Sequence, residues 1–273
     1  MQAGIFAKTF PGTTPFAVLR AAGAAGYQVV QYNMACSGLS ALPTVIPPAT
    51  AEAVAAAAAD TGVGVVAVSA TYNMIHPDAA QREAGRAAFA AIAAAAPQMG
   101  AGMVTVCTGS RDRDDQWRRH PDNDLPESWD AMVAEFRRIL PLAERHGVTV
   151  GVEPELANVV STATRARRLL DLFPGGPIRI VLDAANLFED GKADSGSVIE
   201  AAVDLLGPDI ALAHAKDRDA AGNFATAGHG VIDWPHYIGT LRRAGYDGAL
   251  VTHGLREAEA AQTARFLRRL IGE

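Results

Sequence analysis

The sequence predicts a single (β/α)8 barrel, the α/β fold in which eight parallel strands alternate with eight helices. A short apolar segment, a turn and a helix-forming segment follow one another eight times along the 273 residues. The short segments are apolar throughout rather than alternating, as expected for strands that are buried on both faces. Barrels of this type commonly use about 250 residues as one domain, so residues 1–273 are assigned to one domain.

The main alternative for such a sequence is an open, doubly wound sheet, and the motifs that accompany that fold are missing. No Gly-x-Gly-x-x-Gly motif follows the first predicted strand, and the chain has no phosphate loop with a lysine. No change in composition separates a second domain from the first. The closed barrel is therefore the predicted architecture.

The predicted strand–helix units can be placed in order along the chain. Their strands cover residues 5–10, 28–33, 63–69, 103–107, 149–152, 178–182, 210–213 and 249–252. Their helices cover residues 15–25, 50–60, 79–96, 127–145, 162–172, 196–206, 234–244 and 257–271. Alanine tracts such as 55–59 favour helix because alanine is the best helix former. Asp233 stands where it would cap the seventh helix, just before Pro235.

The composition narrows the classes of partner and compartment. The net charge of −6 disfavours nucleic acid or an anionic membrane as a partner, since both require basic protein surfaces. No stretch reaches the roughly 20 apolar residues of a membrane span, and the N-terminus lacks a basic segment ahead of its apolar run. The two cysteines, Cys36 and Cys107, show no metal-type spacing and fit a reducing compartment. A cytoplasmic protein is expected.

Polar side chains leave the predicted strands at their carboxyl ends, where barrel enzymes hold their active sites. Glu153, Asp183, His214 and His253 follow the fifth, sixth, seventh and eighth strands. Each residue alone has a common structural explanation, because a strand-end carboxylate often caps a helix and a single histidine often packs by hydrogen bonding. At four consecutive strand ends, however, the fold would bring these side chains into one arc.

This set of side chains predicts a metal site. Two carboxylates and two imidazoles suit Mn²⁺, Co²⁺, Fe²⁺ or Zn²⁺, whereas an all-oxygen set would suit Mg²⁺ or Ca²⁺. One divalent metal ion per chain is therefore expected. Mn²⁺ is the expected ion, with Co²⁺, Fe²⁺, Zn²⁺ or Mg²⁺ as alternatives.

The longest connection, residues 108–126, lies between the fourth strand and its helix and is predicted to form a lid over the active site. It carries Arg111, Trp117 and Arg118, together with further charged residues. The alternative is a charged loop that faces solvent.

Five short motifs along the chain carry a resemblance to a known family. They are Val-Glu-Pro, Leu-Asp-Ala-Ala-Asn, His-Ala-Lys-Asp, Gly-His-Gly-Val-Ile-Asp-Trp and Ala-Gly-Tyr-Asp-Gly, beginning at residues 152, 182, 214, 228 and 244. Each motif is loose, but their order resembles that of the sugar phosphate isomerase/epimerase family of xylose isomerase-like TIM barrels. The resemblance covers nearly the whole chain.

The resemblance implies a TIM barrel with one divalent metal, bound in the epimerases by Glu, Asp, His and a second Glu from strands five to eight. Glu153, Asp183 and His214 match the first three ligands. The fourth position departs from the pattern, because this chain has His253 where the epimerases have a glutamate. In the epimerases the two glutamates act as acid and base on opposite faces of an enediolate, so the histidine makes a simple ketose 3-epimerase less favoured.

The expected function is that of a divalent-metal-dependent isomerase or epimerase of a sugar, an inosose or another keto-sugar, working through an enediolate. Glu153 or His253 is expected to move the proton, and both remain candidates. Lys216 is expected either to stabilise the enediolate oxygen or to form an ion pair with Asp183 or Asp217.

A further set of polar and aromatic residues is expected to bind the substrate, a small carbohydrate, although for most of them a purely structural role is as plausible. The set is Asn73, His76, Arg111, Trp117, Arg118, Glu155, Asn158, Asn186 and His229. The motifs contain no strong phosphate cradle, so a phosphorylated substrate is not implied.

Other functions remain open. A metal-dependent lyase or dehydratase acting beside a sugar carbonyl needs only one well-placed base and tolerates the histidine at position 253. A DNA repair enzyme of the endonuclease IV type is disfavoured, because seven histidines and a net charge of −6 fit neither its larger ligand set nor a DNA-binding face. A non-catalytic binding barrel is disfavoured by the polar late strand ends. Association through the outer helices into a homodimer or homotetramer is compatible with this fold.

Overall fold

Parallel strands close into a barrel in the computed structural model, which describes residues 1–189 and 194–272. In chain order the strands are β1 Gln2–Phe6, β2 Val29–Tyr32, β3 Gly64–Ser69, β4 Met103–Val106, β5 Thr149–Val152, β6 Ile178–Asp183, β7 Ile210–Arg218, β8 Phe224–Thr226 and β9 Ala249–Thr252. All except β8 belong to the barrel, and β9 closes the ring by pairing in parallel with both β7 and β1. The predicted eight-stranded (β/α)8 barrel is confirmed.

Helices surround the barrel. Those of the described residues are α1 Pro15–Ala25, α2 Pro48–Thr61, α3 Ala79–Ala95, α4 Pro126–His146, α5 Ala163–Leu172, α6 Ser195–Leu206, α7 Trp234–Arg243 and α8 Glu257–Ile271. Asp233 accepts a hydrogen bond from the backbone N–H of His236 at 3.0 Å, so its predicted role as the cap of α7 is confirmed. Within residues 1–189 and 194–272, no helix has both the length and the apolar character needed to cross a membrane.

The apolar core has two parts, one inside the barrel and one between the barrel and the helices. The inner part contains Val29, Ala67, Met103, Val181, Leu212, Ala249 and Val251. Successive side chains of a strand point to opposite faces, so the residue two positions beyond an inner apolar residue also points inward. This spacing decides which residues reach the carboxyl end of the barrel interior.

Two predicted strands differ from those observed. The first was expected at residues 5–10 but lies at Gln2–Phe6, because Gln2 to Ile5 pair with β9 while Ala7–Thr9 form a 3-10 turn. The seventh was expected to end at residue 213 but continues to Arg218, because its last three residues pair antiparallel with β8. The other predicted boundaries agree with the structure to within two residues.

Candidate metal centre

The strand pleat carries the four predicted ligands to the carboxyl end of the barrel interior. Each follows an inward-facing residue of its strand by two positions: Glu153 follows Gly151, Asp183 follows Val181, His214 follows Leu212, and His253 follows Val251. The register of the sheet places Asp183 beside His214, and His214 beside Val251. Residues that lie 100 positions apart in sequence thereby meet on neighbouring strands.

The four side chains converge on one point. One potential ligand atom from each of the four residues lies within 4.8 Å of those from the others. His214 Nδ1 is 3.2 Å from Glu153 Oε1 and 4.0 Å from Asp183 Oδ2. His253 Nε2 is 3.0 Å from the same Asp183 oxygen, and the two imidazole centroids are 4.5 Å apart.

Lys216 and Asn186 hold the two carboxylates in place. Lys216 Nζ lies 3.0 Å from Asp183 Oδ2 and donates to Asn186 Oδ1 at 3.0 Å. Asn186 Nδ2 donates to Glu153 Oε1 at 2.9 Å. Of the two ion pairs that the sequence left open for Lys216, the structure contains the one with Asp183.

Burial and neighbouring charges together set the protonation of this cluster. Burial raises the pKa of Asp183, but Lys216 and His253 outweigh it and hold the pKa below its usual value. Burial also opposes ionisation of Glu153, yet His214 keeps the pKa of Glu153 below normal. Burial lowers the pKa of Lys216, but the combined attraction of Asp183, Glu153 and Glu155 outweighs burial and raises that pKa above its usual value. Burial lowers the pKa of His253, which favours its neutral imidazole.

The residues present fit a divalent cation. Ligand atoms about 2.1 Å from one ion lie at most about 4.2 Å apart, so the 4.8 Å span of the cluster closes around an ion after sub-ångström shifts. Two ionised carboxylates balance the charge of a divalent ion in this buried position. Mixed carboxylate and imidazole ligands suit Mn²⁺, Fe²⁺, Co²⁺ or Zn²⁺.

A cavity of about 300 Å³ opens beside the cluster. It is lined by Phe6, Gln31, Ser69, Thr71, Trp117, Glu153, Glu155, His214, Lys216, Phe224 and His253. Burial, reinforced by the charge of Glu153, raises the pKa of Glu155 to about 7. The volume lies at the lower end of the range of about 300–1,000 Å³ typical of small-molecule sites. The cavity therefore joins the candidate metal ligands to a space of ligand size.

Among the nine predicted substrate-binding residues, Trp117 and Glu155 line this cavity. Asn186 is buried beside it and contacts Glu153 and Lys216. The structure does not bring the other six to the cavity lining.

Asn73 and Asn158 hold the loop of residues 108–126 instead of lining the cavity. Asn73 Nδ2 donates to Ser110 O at 2.8 Å, and Asn73 Oδ1 accepts from Ser110 N at 3.0 Å. Asn158 Oδ1 accepts from Gly109 N at 2.8 Å, and Asn158 Nδ2 donates to Gln116 O at 2.9 Å. Gly109 has a φ of 78°, and a Cβ there would lie 2.2 Å from Asn73 Oδ1, so only glycine fits. These bonds fix the base of the loop that carries Trp117.

The remaining four, His76, Arg111, Arg118 and His229, lie in loops outside the cavity lining. The contacts of the first three are His76 Nε2 to Arg113 O (2.9 Å), Arg111 Nε to Ser128 Oγ (2.8 Å) and Arg118 Nη1 to Asp112 Oδ2 (3.1 Å). His229 is exposed in the segment before α7. The polar groups of the first three thus serve the local structure of their loops.

Several residues that line the cavity were not among the predicted site residues: Phe6, Gln31, Ser69, Thr71 and Phe224. Gln31 and Ser69 could have been found, because each stands two positions after an inward-facing apolar residue, Val29 or Ala67. Phe224 carried no such signal. It reaches the cavity from β8, a strand outside the barrel that the sequence pattern did not reveal.

The fold and the site together define a TIM barrel with a candidate divalent-metal centre on the adjacent strands β5, β6, β7 and β9. The chain belongs to the xylose isomerase-like TIM barrel family, whose family model matches residues 19–270. The resemblance inferred from the order of the sequence motifs is thereby confirmed.

Solved structures share this fold over nearly the whole chain. The 3-keto-D-glucoside 4-epimerase from E. coli, in its apo form, is 19% identical, with a TM-score of 0.76 over 98% of this chain and 99% of that chain. A D-psicose 3-epimerase solved in the presence of D-fructose is 15% identical, with a TM-score of 0.75 over 100% of both chains. The IolI protein with a bound zinc atom is 15% identical, with a TM-score of 0.72 over 99% of this chain and 98% of that chain.

The barrel also occurs within a longer protein. A xylose isomerase-like TIM barrel/4-hydroxyphenylpyruvate dioxygenase fusion protein is 18% identical, with a TM-score of 0.75 over 99% of this chain but only 42% of that chain. No curated protein matches the chain at a significant level. At these identities the structural likeness establishes the fold.

Proposed function

We propose that the chain is a divalent-metal-dependent isomerase or epimerase that acts on a sugar, an inosose or another keto-sugar through an enediolate. The observation that carries the proposal is the convergence of Glu153, Asp183, His214 and His253 beside a cavity of small-molecule size. The two epimerases that share the fold act on small sugars or sugar derivatives, as their names state. Mn²⁺ is the expected ion.

When bound, the ion would polarise the substrate carbonyl and acidify the adjacent C–H bond. Glu153 is our first candidate for moving that proton. The contacts of Glu153 with Asn186 and with His214 are both made by its Oε1 atom. The other carboxylate oxygen, Oε2, is the atom to which we assign the proton transfer. His253, which also lines the cavity, is the second candidate.

Lys216 is assigned to the negative charge that develops on the substrate oxygen. Its ammonium group is fixed by Asp183 and Asn186 and borders the same cavity. A preorganised charge in a site shielded from water stabilises a developing anion more strongly than the same charge in solvent. Trp117 and Glu155 are assigned to substrate orientation, because both line the cavity.

A lyase or dehydratase acting beside a sugar carbonyl is the second candidate function. The observation that favours it is His253, which stands where the epimerases carry their second glutamate. Elimination needs one base and an activated carbonyl, so it does not depend on the symmetric pair of carboxylates. NMR analysis of the products separates the candidates, because elimination releases water and leaves an unsaturated or deoxy-keto product.

The proposal also includes the compartment and the partners. Both cysteines are buried free thiols, which supports a cytoplasmic location. The net charge of −6 supports a small carbohydrate rather than nucleic acid as the partner.

Metal analysis of the purified protein before and after chelation tests the metal centre. We expect about one divalent ion per chain, and weakened binding in Glu153→Gln and His253→Ala because each variant loses a ligand. Glu144→Gln, at an exposed glutamate of α4, makes the same chemical change away from the cluster and should bind as the wild type does. A wild-type protein that takes up no metal under any loading condition would overturn the proposal.

Proton exchange tests the chemistry. The metal-loaded protein is incubated in D2O with a panel of ketoses and inososes, and deuterium at the carbon next to the carbonyl is followed by NMR. We expect exchange with at least one compound, reduced about 10²- to 10⁴-fold in Glu153→Gln, the range for loss of a general base. Product formation by elimination without exchange would favour the lyase.

A further inference from the structure

We propose that Gln31 is a positioning residue that fixes which nitrogen of His214 carries its proton, and that Thr105 orients the Gln31 amide for this task. The inference rests on the proposed metal centre, but it concerns two residues that are not among the candidate ligands. Gln31 lies on β2 and Thr105 on β4, whereas His214 lies on β7, so the three side chains meet across the barrel interior.

The geometry of this group, the Thr105–Gln31–His214 relay, is that of two buried hydrogen bonds in series. Gln31 Oε1 is 2.8 Å from His214 Nε2. Gln31 Nε2 donates to Thr105 Oγ1 at 3.1 Å. All three residues are buried, so any of these polar groups that lost its hydrogen-bond partner would be destabilising.

The relay matters because the two nitrogens of His214 face different partners. Nδ1 points to the cluster, 3.2 Å from Glu153 Oε1, and is the ring atom available as a ligand. A ligating nitrogen must offer its lone pair, so the proton of a neutral ring must then reside on Nε2. The Gln31 carbonyl accepts that N–H. With the amide reversed, two N–H groups would face each other, and the ligating tautomer would be disfavoured.

Thr105 favours one of the two orientations of the Gln31 amide. A free glutamine amide can reverse its oxygen and nitrogen with little change in shape. The Thr105 hydroxyl accepts from Gln31 Nε2 and thereby keeps the carbonyl oxygen directed at His214. A hydroxyl can also donate a hydrogen bond. Thr105 therefore favours this orientation of the Gln31 amide less strongly than the Nε2–H group of His214 does when Nδ1 is a metal ligand.

The choice of an amide rather than a carboxylate fits the charge of the site. Glu153 and Asp183 already balance a divalent ion, and the ammonium group of Lys216 lies beside Asp183. A neutral acceptor at position 31 sets the histidine tautomer without adding a buried charge. The acceptor property, not the amide itself, is therefore what the metal centre requires.

The first test measures zinc affinity by competition with a chromophoric chelator, on protein first stripped of metal. Gln31→Leu removes the acceptor at similar volume and should weaken zinc binding about 10- to 100-fold, the usual effect of losing the partner of a ligating histidine. Gln31→Glu keeps an acceptor and should bind zinc at least as tightly as the wild type. Gln262→Leu, at an exposed glutamine of α8, is the matched control and should change nothing.

Thr105 is tested by a pair of conservative variants. Thr105→Val removes the acceptor for Gln31 Nε2 and should weaken zinc binding about 3- to 10-fold, less than Gln31→Leu does, because one hydrogen bond of about 1 kcal/mol is lost. Thr105→Ser restores the hydroxyl and should bind zinc as the wild type does. Equal affinity in Thr105→Val and Thr105→Ser would remove Thr105 from the relay.

A second readout is made on the wild-type protein itself. Nitrogen-15 NMR of the zinc-loaded wild type reports directly which ring nitrogen of His214 carries hydrogen, with His214→Gln used for assignment. We expect hydrogen on Nε2. Three results would overturn the relay while leaving the metal centre intact. They are hydrogen on Nδ1 of His214, unchanged zinc affinity in Gln31→Leu, and equal losses of zinc affinity in Gln31→Leu and Gln31→Glu. Failure of the wild type to bind zinc or manganese would instead overturn the proposed function.

Discussion

At the scale of single residues, Asp217 shows how one buried carboxylate fixes the shape of the site without belonging to it. Its two oxygens accept hydrogen bonds from the backbone N–H groups of Arg218, Gly228 and Ile232 and from Trp234 Nε1, at 2.8–3.2 Å. These bonds join the end of β7 to the segment that leads into α7. Lys216, one residue earlier, points to the cavity because side chains alternate along the strand.

We predict that Asp217→Ala lowers the free energy of unfolding by about 3 kcal/mol, because several buried donors lose their charged acceptor together. Asp217→Asn keeps one acceptor oxygen and should cost less. Urea unfolding followed by circular dichroism measures both values. Asp204→Ala, at an exposed aspartate of α6, should stay within about 0.5 kcal/mol of the wild type. Equal stability of Asp217→Ala and Asp204→Ala would contradict the role assigned to Asp217.

At the scale of elements, the β7–β8 hairpin adds an aromatic wall to the cavity. Phe224 on β8 is 52% exposed, yet it lines the cavity beside the cluster. Lys216 Nζ lies 3.8 Å from the centre of its ring, and the Arg218 guanidinium carbon lies 4.3 Å from it. The ring therefore covers two cations and also forms part of the cavity wall.

We predict that Phe224→Leu raises KM for a ketose that shows proton exchange about 2- to 10-fold, as expected for loss of an aromatic contact of about 0.5–1.5 kcal/mol. The value of kcat should change less, because Lys216 keeps its ion pair with Asp183. Initial rates measured over a range of ketose concentrations separate the two constants. Phe16→Leu, at an aromatic residue of α1 that is 47% exposed, provides the matched control. An unchanged KM in Phe224→Leu would remove Phe224 from the substrate site.

The loop of residues 108–126 is the second element that shapes the cavity, and its supports are asparagines. Asn158 joins Gly109 and Gln116, and Asn123 accepts from Arg111 N at 2.7 Å and donates to Ala157 O at 2.8 Å. Trp117 lies within this framework and lines the cavity. The expected lid is thus anchored at both sides of its tryptophan.

We predict that Asn158→Ala increases hydrogen–deuterium exchange across residues 109–123, because two hydrogen bonds that hold the loop, one of them buried, are removed. Mass spectrometry of peptides after exchange measures the change. Asn223→Ala, in the exposed turn between β7 and β8, should leave that region unchanged. If Asn158→Ala impaired ketose turnover without faster exchange in the loop, a direct substrate contact would be the better explanation.

At the scale of the whole molecule, the sequence predicted the barrel because the repeat of short apolar strands and helices is a local property. The same repeat placed the carboxyl ends of the fifth, sixth and eighth barrel strands to within one residue, and it placed all four candidate ligands although β7 continues past residue 213 to Arg218. It could not place Phe224, because β8 has three residues and forms only where the end of β7 offers it a partner. It could not separate Asn73 or Asn158 from substrate contacts either, because their hydrogen bonds join segments that are distant in sequence.

The candidate metal centre also connects distant parts of the barrel. Its ligands come from β5, β6, β7 and β9, so one ion would join half of the strands near their carboxyl ends. An ion that binds the folded chain and not the unfolded chain stabilises the fold by about 4 kcal/mol at a free concentration 1,000 times its Kd. Without it, two buried carboxylates remain near each other, relieved by Lys216 and by the histidines.

We therefore predict that removing the metal with a chelator lowers Tm by roughly 8–16 °C, since about 1 kcal/mol corresponds to 2–4 °C for a chain of this size. Differential scanning calorimetry of metal-loaded and stripped protein measures the shift, and adding back Mn²⁺ should restore Tm. In His253→Ala the dependence on Mn²⁺ should shrink because a ligand is lost, whereas Glu144→Gln should retain it. A Tm that does not respond to Mn²⁺ in the wild type would mean that the four strand ends do not share an ion.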